Sequence, residues 1–121
     1  MSEAASPSPI VVTETFVRLY VFLTQVLDRC LDPAARDTLS EQELHGHLES
    51  TKTAMTAMLS VNPVVKKKIE QECAHVLALG QRCLTEGQGG AEVLNDLRKE
   101  RVTLQNKTIA LSDLLAVLRA L

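Results

Sequence analysis

Leu39-Ser40-Glu41-Gln42-Glu43-Leu44 carries the parts of a helix start within six residues. Ser40 can cap the free amides, Glu43 can reach back to it three residues on, and Leu39 can close on Leu44 as a hydrophobic staple. A helix begins here. Beyond it, Leu44, Leu48, Thr51, Met55, Met58 and Leu59 recur at three- and four-residue steps, the stripe that a helix buries along one side. Asn62-Pro63 ends this helix and opens the next, because proline has no amide for a helix interior yet fits the first helical position.

The same periodicity extends both ways. Upstream, Phe16, Leu19, Tyr20, Leu23, Leu27, Cys30 and Leu31 form a stripe that Asp32 and Pro33 break, after which residues 33–36 can make a short helical turn. Downstream, Val65, Ile69, Cys73, Val76, Leu77, Cys83 and Leu84 line a third long helix that dissolves in Gly87-Gln88-Gly89-Gly90. The last helix, from about residue 91 to 121, sets Leu97, Leu104, Leu111 and Leu118 at seven-residue spacing. Leu94 and Leu115 share the companion row with Arg101 and Thr108. Such a repeat keeps one seam facing a partner only if the helices supercoil. No period-two alternation marks a strand. The expected fold is all-α, an elongated three- to four-helix bundle with a coiled-coil-like C-terminal helix. Its expected parts are a disordered tail at 1–10, a helical region at 11–86, a hinge at 87–90 and the heptad helix at 91–121.

At 121 residues the chain suits one domain. Apolar residues make up 45% of it but aromatics only 2%, so the core has to be aliphatic. A formal net charge of -2 supplies no field to attract a polyanion, and direct nucleic-acid binding is not expected. Three cysteines without a paired framework argue against a disulfide scaffold and for a reducing, intracellular setting, nucleus or cytoplasm. The first nine residues lack the basic start of a signal peptide. The most apolar stretch, residues 11–31, contains Glu14, Arg18, Asp28 and Arg29, so no membrane span is expected.

Chemistry-bearing motifs are sparse. Glu72 and His75 have the Glu-x-x-His spacing of helical di-iron sites, but one copy is not a ligand set, and the bland reading is a surface histidine beside a solvated glutamate. Cys73, His75 and Cys83 lack the paired Cys-x-x-Cys spacing of structural zinc, and Cys30, Cys73 and Cys83 read as small buried residues. The glycines at 87, 89 and 90 follow no strand and precede no P-loop lysine. Neither a catalytic set nor a cofactor or metal site is expected. Lys66, Lys67 and Lys68 suit either a solvated face or docking against an acidic partner.

The interaction residues follow from the helix wheels. Phe16 and Tyr20 share one face of the first helix, whereas Phe22 lies about 240° from Phe16, with Val17, Val21 and Val26 extending that second side. Such a helix needs cover on both flanks, either from another protein or from a central place in its own bundle. In the last helix a self-paired seam would set Arg101 against its own copy, whereas a different chain can offer Arg101 and Thr108 polar partners. A hetero-oligomer is therefore expected. The last turns, with Leu104, Lys107, Leu111, Leu118, Arg119 and Leu121, resemble the closing helix of some small Mediator subunits over about a sixth of the chain. Any leucine heptad shares that likeness, so no family is assigned.

The resulting expectation is a non-catalytic helical adaptor or structural subunit of a multiprotein complex. Its expected partner contacts are Phe16, Tyr20, Phe22, Leu97, Arg101, Leu104, Thr108, Leu111, Leu115 and Leu118. The alternative is a helical secretion-type chaperone that binds an export substrate along an apolar groove. A helical metal or cofactor protein ranks third.

Overall fold

Ser8 and Pro9 start the first helix in the computed structural model, which describes residues 8–59, 63–85 and 90–121, without the side chains of 56, 58, 59, 85 and 90. Five helices account for nearly all of these residues: α1 (Pro9–Leu31), α2 (Pro33–Thr38), α3 (Glu41–Leu59), α4 (Pro63–Thr85) and α5 (Gly90–Ala120). No strand occurs among the described residues. The protein is an all-α helical bundle.

Local chemistry accounts for the boundaries. The Ser8 hydroxyl accepts from the Val11 amide at 3.2 Å, and Pro9 occupies the first helical position, where its missing amide costs nothing. Residues 9 and 10, assigned to a tail by their composition, are thus helical. Asp32 ends α1 and caps α2, its carboxylate accepting from the Ala34 amide at 3.1 Å. The short turn after Pro33 extends to Thr38. At the start of α3 the Ser40 hydroxyl accepts from the Glu43 amide at 3.0 Å, while Glu43 accepts from that hydroxyl at 3.3 Å. Leu39 and Leu44, the two arms of the staple, are both buried. The expected tail at 1–7, the Asn62 junction, the hinge at 87–89, and the side chains of Met58 and Leu59 lie outside the described residues.

Paired side chains give the helix directions. α1 and α5 are antiparallel, because Asp28, Tyr20 and Glu14 meet Arg101, Lys107 and Arg119 in that order. α4 and α5 are antiparallel as well, through Glu72 with Lys107, His75 with Glu100 and Arg82 with Asp96. Across α3 and α4, Leu44 approaches Gly80 while Leu48 and Lys52 share a cleft with Leu77 and Glu70, again antiparallel. α1 and α4 run parallel, with Tyr20 at Glu72 and Cys30 at Cys83. The chain therefore runs up, down, up and down through α1, α3, α4 and α5, and α1 packs on all four other helices.

One core joins them. Leu19, Leu23 and Leu27 of α1, Leu44 and Leu48 of α3, Ile69 and Val76 of α4, and Leu97 and Leu104 of α5 belong to a single buried cluster. Gly80 lets α3 approach closely, since a β-carbon there would lie 2.5 Å from Leu44 Cδ2. The central position of α1 supplies much of its two-sided cover from within: Val26 is buried and Phe22 packs half-buried on the core, while Val21 is left exposed. α1 is also long and apolar enough to cross a membrane, with an 18-residue window of mean hydropathy 1.5. Asp28 and Arg29 fall in its last turn, so counting them does not exclude a span. The core helix of a soluble bundle passes the same test.

Candidate functional site

The heptad seam of α5 closes on the protein itself. Leu97 and Leu104 are fully buried at 0% exposure, Leu115 is buried, and Leu111 and Leu118 are half-buried along the helix that pairs with α1. Arg101 ion-pairs with Asp28 of α1. Thr108 donates to its own Leu104 carbonyl at 2.8 Å. Arg101 thus has a polar partner within this chain, Thr108 bonds back along its own helix, and α5 folds back on α1 rather than projecting.

Phe16 and Tyr20 also face inward, with ring centroids 6.1 Å apart. The Tyr20 hydroxyl donates to Glu72 Oε2 on α4. Lys107 of α5 reaches the same oxygen at 3.3 Å and sits 5.4 Å from the centre of the Tyr20 ring, while Lys68 approaches that oxygen at 3.5 Å. Burial pushes the Glu72 carboxyl up, but the Tyr20 hydrogen bond and the charges of Lys107 and Lys68 outweigh it and hold it below its ordinary range. Burial and the neighbouring Glu72 push the Tyr20 phenol well above its ordinary range.

The solvated glutamate expected beside His75 is therefore a buried one. Its closest partners, Tyr20 and Lys107, come from α1 and α5, and only Lys68, four residues before it in α4, lies at a spacing the sequence displays. A further signal was Tyr20, a phenol in an apolar stripe that had to find an acceptor. His75 does lie at the surface, 3.2 Å from Glu100. Lys68, grouped with two other lysines, has one foot in this cluster.

All three cysteines are buried. Burial raises the Cys30 and Cys73 thiols to about 11, away from the thiolate that nucleophilic chemistry requires. The Cys83 thiol points to the Cys30 carbonyl at 3.6 Å, and Arg36 donates to that carbonyl at 3.1 Å. Among the described residues no group of three or more His, Cys, Asp or Glu gathers to hold a metal.

The outer side of α1 and α5 differs from the rest of the surface. Between the two helices lies a furrow of about 310 Å³, lined by Val21, Thr24, Gln25, Arg101, Gln105, Thr108 and Ile109. Val21 is 41% exposed and Ile109 53%. Val102, Leu114, Val117 and Leu121 carry the apolar surface onward along α5 and just past it. The heptad drew attention to the inner rows of this helix; its outer row, read on the same wheel, held the exposed apolar residues.

Comparison with known proteins finds no matching family model, no matching curated protein and no matching solved structure.

Proposed function

We propose that the protein is a non-catalytic helical adaptor, a subunit of a multiprotein complex that works through helix-to-helix packing. The observation behind this reading is the distribution of exposed apolar side chains. Among the described residues, Val64 is the one large exposed hydrophobic outside α1, α5 and the residue that follows α5. Single exposed apolar residues need no explanation, but their concentration on one helix pair supports the reading of an interaction surface. The buried thiols with raised pKa values support a non-catalytic role.

On this reading the partner surface is the outer face of α1 and α5, with Val21, Val102, Ile109 and Val117. The inner seam of Leu97, Leu104 and Leu115 holds the adaptor together. Coiled-coil pairing with another chain would then use the outer row of α5. The experiment is isolation of the tagged full chain from its own cells, beside an Ile109→Glu, Val117→Glu double variant. The wild type should elute within a stoichiometric assembly, and the variant should leave it while keeping its helical circular dichroism and melting temperature. A wild-type chain that elutes as a lone monomer, or a folded variant that keeps its partners, would sink the reading.

A further inference from the structure

We propose that the furrow between α1 and α5 docks an amphipathic helix of a different protein, one whose apolar ridge is flanked by acidic side chains. This rests on the adaptor reading and adds the chemistry of the partner. A furrow between two antiparallel helices accepts a third helix as a ridge, and Val21 and Ile109 supply its apolar floor.

Charge selects the occupant. Stepping by three and four residues from Val21 and Gln25, the outer edge of α1 carries Arg18 and Arg29, and the same steps from Arg101 bring Arg98 to the edge of α5. The acidic groups along this face are Glu14, which pairs with Arg119 and lies 4.0 Å from Arg18, Asp28, which pairs with Arg101, and the exposed Asp113, four residues from Ile109. Five arginines thus share this face with three carboxylates, an excess of positive charge in a chain whose formal net charge is -2. Acidic flanks on an incoming helix complement such rims and accelerate its encounter.

A second copy fits badly, because a two-fold pairing of this face sets arginine rim against arginine rim. An anionic membrane also fits badly, because Gln25 and Gln105 would meet hydrocarbon that cannot satisfy their side-chain amides. An acidic helix can offer partners to both amides and arginines.

The test places a photo-crosslinking residue at Ile109 in the full chain, within its own cells, with a second version carrying it at Val64 of α4. The crosslinked peptides are identified by mass spectrometry. The expected result is capture at position 109, not at 64, of one segment from another protein with helical apolar periodicity and acidic flanks. Charge reversal by Arg18→Glu with Arg98→Glu should lower that yield about tenfold, since rim charges govern encounter. Capture at 109 of a neutral or basic segment, of a second copy of this chain, of lipid, or of nothing overturns the proposal. The adaptor reading fails with it only if neither position captures another protein.

Discussion

Glu72 keeps its charge in the bundle because donors from three directions meet one of its oxygens. A carboxylate moved out of water without partners costs several kcal/mol. Here the Tyr20 hydroxyl, Lys107 and Lys68 replace the lost hydration. The folded carboxyl ionises below the unfolded value of about 4.3, so its contribution to stability is complete above that pH. It disappears as pH falls through the lower folded value. Replacing Glu72 by Gln should cost about 1 to 3 kcal/mol at neutral pH, the range for hydrogen bonds to charged groups and for orphaned buried partners. Urea midpoints for both proteins should converge progressively below about pH 4.3. A gap that is absent at pH 7, or that stays constant down to pH 2, would show that the cluster is not a charged one. Near Glu72 in the chain only Lys68, four residues before it, pointed to this cluster, since the other two partners are 52 residues upstream and 35 downstream.

At the scale of the helix, α5 separates what periodicity can and cannot tell. The spacing of Leu97, Leu104, Leu111 and Leu118 located a buried seam correctly but carried no label for the helix opposite. An internal neighbour and a foreign chain impose the same repeat on a sequence. The ion pair between Arg101 and Asp28 was equally hidden, since only the antiparallel register of α1 and α5 brings the two together. Leu104→Ala should cost about 2 to 5 kcal/mol of stability, and Leu111→Ala less, because Leu104 is fully buried and Leu111 only partly. Arg101→Leu should cost under about 1 kcal/mol, as expected for a pair whose two side chains are both partly exposed. Denaturant titrations of the three variants test this ranking. Equal losses at 104 and 111 would mean that the two leucines are buried to the same extent. The caps, by contrast, were readable in advance: Ser40 with Glu43 uses a hydroxyl and an amide three residues apart, a matter of local geometry alone.

In the molecule as a whole, the helical class and the alternation of stripes and breaks were legible because each depends on near neighbours in the chain. The pairing of α1 with α5, and the parallel contact of α1 with α4, depend on distant ones. All four long helices contribute to one buried cluster, so no part has a core of its own. Thermal unfolding followed by circular dichroism and by a fluorophore attached to α5 should give coincident transitions. A separate early loss of α5 would show that it docks as an independent unit.

The closure of α1 by α5 also sets a schedule on the ribosome. Synthesis at about 5 to 20 residues per second leaves roughly 4 to 18 s between completion of α1 at Leu31 and completion of α5 at Ala120. Throughout that interval the most apolar helix of the protein lacks its longest neighbour. A nascent chain paused near residue 89 should therefore expose α1 to protease and to cellular factors that hold apolar segments, and both exposures should end when α5 arrives.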